Sequence, residues 1–178
     1  MTRGMFVTDF GRLAEADVSS YKTSKFTDVK ADAYYLPYIE WANKNDIVKG
    51  TSDTTFASDQ KITREQMAVM MVNYAKVIGV ELPNVHTENI FADNVKISSY
   101  AKTAVKQMQM AGVISGKNGN LFDRRDGYQS SSKAFCGTCY QQRHSSVLEA
   151  KRQWQMALLQ GRQGNHRQAD HRWCQLYF

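Results

Sequence analysis

The chain has 178 residues, 42% of them hydrophobic and 22% charged, with a net charge of +6. That is enough for one medium domain or a short array of small repeats, in the balance of an ordinary globular protein. No apolar run reaches the roughly 18 residues that a membrane-spanning helix needs, and Met1 to Val7 lacks the apolar core of a secretory signal.

Taken in chain order, the predicted elements are helices. Thr2-Arg3 opens the first, in which Phe6, Phe10 and Leu13 fall at i, i+4 and i+7 on one face. Residues 33–45 form the second, with Leu36, Ile39, Trp41 and Ala42 near helical spacing and Asp32 placed as its N-cap. Turn chemistry follows at Gly50-Thr51-Ser52-Asp53. Thr63-Arg64-Glu65-Gln66 is a capping box, in which the Thr63 hydroxyl takes one orphan amide and Gln66 reaches back to another. Behind it Met67, Met70, Met71, Tyr74 and Ile78 make one buried stripe, ended by Gly79. That stripe reads as core packing rather than as a metal box. A fourth helix carries Ala101, Ala104, Val105 and Met108, capped by Ser98 or Ser99 and stopped by Gly112, with a turn at 116–120.

These elements repeat. Thr2-Arg3-Gly4-Met5-Phe6 returns as Thr63-Arg64-Glu65-Gln66-Met67, and Phe26-Thr27-Asp28-Val29 as Phe91-Ala92-Asp93-Asn94. Ile47-Val48-Lys49-Gly50 with Phe56 returns as Val113-Ile114-Ser115-Gly116 with Phe122. The array is half a unit at 1–21, a whole helix-loop-helix unit at 25–80 and the front half of another at 90–122. One helix pair is too small to bury a core, so neighbouring units must supply it. The expected fold class is all-α.

The motifs that recur in order resemble the S-layer homology family. They are Phe26-Thr27-Asp28-Val29, Tyr38-Ile39-Glu40-Trp41-Ala42, Ile47-Val48-Lys49-Gly50, Phe56-Ala57-Ser58 and Thr63-Arg64-Glu65-Gln66. The chain departs at Ser58, where the family usually has Pro, and at Gln66, where it has Glu. The resemblance implies a pseudo-threefold helical spindle with ligand grooves between its prongs. It also implies non-covalent binding to a secondary cell-wall polymer, often an acidic, pyruvylated polysaccharide. Thr2-Arg3 stands where a repeat's second helix begins, so an upstream half-repeat and a signal peptide are expected in a longer parent at the cell wall. Self-association through exposed repeat faces is a further expectation.

The candidate polysaccharide contacts are Arg64, Thr63, Trp41, Asp28, Lys49 and Arg3. A guanidinium at a helix's first turn adds two-pronged bonds to a site that backbone amides already make favourable to anions. Arg3 is its equivalent in the leading half-unit. For each candidate a plainer role competes. Arg64 and Thr63 can simply stabilise the helix, and Trp41 can be core rather than a sugar-stacking face. Asp28, like Asp93, can be a turn residue, and Lys49 a solvated charge.

No catalytic, cofactor or metal site is expected. Residues 1–122 hold one His, no Cys, no Gly-x-Ser-x-Gly and no phosphate loop, and no carboxylate pair is set for glycoside hydrolysis.

Composition changes after Phe122. Residues 1–122 carry 14 Lys+Arg against 13 Asp+Glu, whereas 123–178 carry 9 against 4, with every Cys and three of the four His. The period calls for Thr-Arg near 129, but the chain reads Gly127-Tyr128-Gln129-Ser130. Read one base on, Tyr128-Gln129 permits Thr and Gln129-Ser130 permits Arg, while Trp154 becomes Gly and Met156 becomes Trp. That shifted stretch resembles aromatic, glycine-rich cell-wall modules. Residues 123–178 therefore read as an out-of-frame, disordered tail. The alternative is a regulatory helical domain whose tail binds zinc through Cys136, Cys139, His144, His171 and Cys174, or binds nucleic acid through its arginines. The lack of a second Cys-x-x-Cys, of a His-x3-His pair, of periodic structure around the cysteines and of a nucleic-acid-binding fold argues against both.

Overall fold

The structure, a computed structural model, describes residues 1–124, which form four α-helices joined by turns and loops, with no strand among them. Helix α1 runs Arg3–Leu13, α2 Leu36–Lys44, α3 Arg64–Val77 and α4 Lys102–Met110. The sequence-based tail, with its cysteines and histidines, lies outside the described residues apart from Asp123 and Arg124. No helix among the described residues is long and apolar enough to cross a membrane.

Helix starts follow local chemistry. The Thr2 hydroxyl accepts from Met5 N–H, and Thr63 accepts from Gln66 N–H while the Gln66 side chain accepts from Thr63 N–H, completing the capping box. Gly79 ends α3 at φ +68°, the left-handed conformation that a helix stop favours.

Two expected caps fail. Helix α2 begins at Leu36 rather than near Ala33, so Asp32 lies too far upstream to cap it. Pro37 sits in the first turn, where a missing N–H costs nothing. Helix α4 has no side-chain cap either. A 3₁₀ turn, Ser99–Ala101, leads into it, and Ser98 instead gives its N–H and hydroxyl to the buried Glu65 carboxylate, at 2.8 and 3.1 Å.

Packing follows the repeat, offset by half a unit. Helix α1 packs on α2 and α3 packs on α4, while α2 and α3, which share one sequence unit, form no comparable pair. The two pairs meet in one core. Phe10 of α1 stacks on Tyr74 of α3 with centroids 4.6 Å apart and planes 7° apart, an arrangement worth about 0.5–1.5 kcal/mol beyond the area buried. Phe6, Met67, Met70 and Met71 are buried as their spacing predicts, while Leu13 and Ile78 are half-buried at its edge.

Candidate functional site

The site is built where one unit's second helix meets the loops of the next, and this junction occurs twice. Phe26 packs on Phe56 at 5.4 Å, and Phe91 on Phe122 at the same distance. Asp28 accepts from Phe56 N–H at 2.8 Å and Ala57 N–H at 2.6 Å. Asp93 accepts from Phe122 N–H at 2.6 Å and Asp123 N–H at 3.1 Å. Each carboxylate thus clamps a loop 28 to 30 residues downstream. Ala57 and Asp123, the residues so held, both have positive φ, +61° and +46°. That conformation is costly for a non-glycine residue and persists only where its surroundings enforce it.

An arginine then locks each loop to a helix. Arg3 donates to Phe56 O at 3.0 Å and Lys49 O at 3.1 Å. Arg64 donates to Phe122 O, and to Ser115 O at 3.1 Å. Each guanidinium also lies over the phenylalanine ring it holds, at 4.7 and 4.9 Å from the centroid. Burial pushes the Arg3 pKa down, against the opposing pull of Tyr100 and Asp28.

Arg3 and Arg64 are only 3% and 2% exposed. The structure therefore places both beneath the surface with carbonyls as partners. Trp41 is half-buried against the core, and Lys49 is exposed beside the first junction.

Beside the second junction an open cleft of about 820 Å³ lies at the start of α3, lined by Thr63, Lys96, Lys117, Asn118, Asp123 and Arg124, with Asp93 and Leu121. Of the six sequence candidates, Thr63 is the one on its wall. Arg124 reaches from the cleft to Glu65, 3.7 Å away, and Glu65 is 1% exposed. Burial alone would raise the Asp93 pKa, but the amides of Phe122, Asp123 and Asp93 itself, with Lys96, outweigh it and hold the carboxyl below the usual aspartate range.

Sequence reasoning missed Lys96, Lys117 and Arg124 as cleft residues, and Glu65 as a buried anchor. A signal existed: at the same repeat positions one unit earlier stand Ala31, Thr51, Ser58 and Gly4. Comparing the side chains that differ between units, rather than those that recur, singles out these four. No group of three or more His, Cys, Asp or Glu able to hold a metal occurs among the described residues.

Residues 25–68 match the family model described as S-layer homology domain. The chain is 34% identical over 107 residues to a surface-layer 125 kDa protein of Lysinibacillus sphaericus, covering 60% of this chain and 8% of that protein. It is 30% identical over 123 residues to an amylopullulanase of Thermoanaerobacterium thermosulfurigenes, covering 68% and 6%. With an endoglucanase of Bacillus sp. (strain KSM-635) it shares 28% identity over 115 residues, covering 64% and 11%. The match thus spans about a tenth or less of each relative.

Proposed function

The chain carries an S-layer homology domain at residues 25–68, and from that premise we propose that it is a non-covalent cell-surface anchor that binds a secondary cell-wall polysaccharide. One observation carries the reading: the junction between units opens into a cleft walled by a helix N-terminus, hydroxyl and amide groups and three cations. Such walls suit a polyhydroxylated ligand bearing acidic groups. The spread of relatives supports it. A surface-layer protein and two differently named enzymes share this short stretch, and a need common to them is location rather than one chemistry. The module is a binding element, and any catalysis belongs to other parts of a longer protein.

In this reading Thr63 contacts the ligand. Arg64 and Arg3 hold the two loops that form the junctions, and Asp28 shapes the first of them. Trp41 and Lys49 are outlying contacts for a longer chain of sugars. The array is part of a pseudo-threefold spindle, and exposed Ile90 and Val95, at 67% and 88%, are where copies associate.

The test is sedimentation with purified sacculi before and after chemical removal of the secondary polymer. Retention lost on removal is expected, and retention that survives it rejects the polymer as ligand. Light scattering should show mass rising with concentration, and less so for Val95→Ser. A monomer at all concentrations rejects the association.

A further inference from the structure

The two junctions share a scaffold and differ in charge. The second presents Lys96, Lys117 and Arg124 to its cleft. The equivalent positions of the first are Ala31, Thr51 and Ser58, while the clamping carboxylate, Asp28 for Asp93, is kept. Asp123 of the second cleft becomes Ala57. The second site therefore sets three cations against two carboxylates, whereas the matching first positions hold one carboxylate and no cation. Lys49 and Lys61 flank the first junction, but neither occupies one of the three positions.

The scaffold that makes this comparison meaningful is closely matched. The phenylalanine pairs have the same separation, with interplanar angles of 49° and 47°. Both arginines hold the equivalent pair of carbonyls. The clamp is shared, but the loops that carry the differing side chains are not identical, since Asn118, Gly119 and Asn120 have positive φ and Ser52 to Thr54 do not. On that common clamp the side chains set the two sites apart in charge.

Arg124 adds a further difference. It stands at the position of Ser58, which is buried, whereas Arg124 is exposed and spans the cleft between Lys96 O at 3.5 Å and Glu65. Both Asp93 oxygens are engaged by amides, so that carboxylate is already occupied. A ligand carboxylate entering the cleft meets three cations against the carboxylates of Asp93 and Asp123, of which Asp93 is already held by amides.

We infer that the two repeat junctions divide the binding work: the cleft at α3 takes the anionic sugar, through Lys96, Lys117 and Arg124, and the equivalent place at α1 does not discriminate for charge. The inference rests on the polysaccharide-binding reading and adds which junction reads charge and by which residues.

The experiment is a nitrogen–proton NMR titration of the full chain with D-glucuronate, and with methyl β-D-glucoside as the uncharged match. Glucuronate is expected to shift the amides of Thr63, Lys96, Lys117 and Asn118 while leaving Thr2, Thr51 and Ser52 in place. The glucoside should not reproduce that pattern. Lys96→Ala and Lys117→Thr, each the residue of the other junction, should weaken glucuronate by about fivefold apiece. Added salt should weaken it as well. Ala31→Lys combined with Thr51→Lys, both at exposed positions, should bring shifts to Thr2 and Ser52. Equal shifts at both junctions, the same shifts with glucoside, or none at either overturn the inference. Sacculus retention is measured on the same samples. Retention without a glucuronate site rejects the division of labour and leaves the anchor standing. A selective glucuronate site without retention rejects the anchor and supports the charge-reading cleft.

Discussion

Gly11 leaves open on α1 the space that the Tyr38 ring of α2 fills: a Cβ at Gly11 would come within 3.0 Å of Tyr38 Cε1 and closer still to Cδ1. One repeat on, the corresponding residues are Val72 and Ala104, both buried. Bulk lies on the second partner of one pair and on the first partner of the other. Gly11→Ala gains about 1 kcal/mol of helix propensity but forces the ring aside, which costs about 1–3 kcal/mol. A net loss is expected in urea unfolding. Tyr38→Ala should make Gly11→Ala favourable, and simple additivity of the two would show that they do not touch.

The burial of Arg64 changes what its mutation reports. Its guanidinium satisfies Ser115 O and Phe122 O inside the junction. Arg64→Ala leaves those carbonyls without this donor and should cost about 2–4 kcal/mol. Arg64→Lys should restore only part, because one ammonium cannot span both acceptors as a planar fork does. Thermal melting reads this directly. An unchanged melting temperature with lost sacculus retention would instead make Arg64 a direct ligand contact.

Acid should loosen the second junction through Asp93. Its folded pKa is lowered, so its contribution is complete above the ordinary aspartate range and fades as pH falls through the lowered value. Asp93→Asn should cost about 1 kcal/mol near neutrality and flatten stability below pH ~4. A variant with the acid limb of the wild type would show that another carboxylate governs it.

Alkali should act through two tyrosines. Burial, then Glu65, raises the Tyr100 pKa; burial, then Asp59, raises that of Tyr35. The fold prefers both phenols neutral, so this stability is intact below the ordinary tyrosine range and is lost as pH climbs through the raised values. Ultraviolet titration of tyrosinate should show both ionising late. Glu65→Gln should return Tyr100 towards the others while Tyr35 stays late.

Most of the helical content was legible because periodicity and capping are local. Met67 to Tyr74 could face only one way, and Thr63 with Gln66 could form only that box. The start of α4 was not legible, because Ser98 answers to Glu65, 33 residues away in sequence, rather than to its own helix. That of α2 was not, because it has no side-chain cap to mark it. The resemblance put Arg64 among the candidates and spacing located it at a helix start. Neither shows whether a guanidinium faces solvent or a carbonyl, since that depends on where Phe122 returns. The cleft cations escaped for a related reason: each is ordinary alone and becomes informative only beside its partner one repeat earlier.

The half-unit offset in packing separates inheritance from folding. The stretch whose motifs recur along the sequence, Phe26 to about Ile78, contains α2 and α3, which are not each other's principal partners. Duplicating it adds one half of two different contacts, so each new copy becomes useful only when a neighbour on either side accepts it. An array of this kind grows the way a zipper does, by teeth that mean nothing singly. Cutting the gene at its motif borders would separate every interlocking pair, whereas cuts through the middle of the motif, near residue 50, would leave α1 with α2 and α3 with α4.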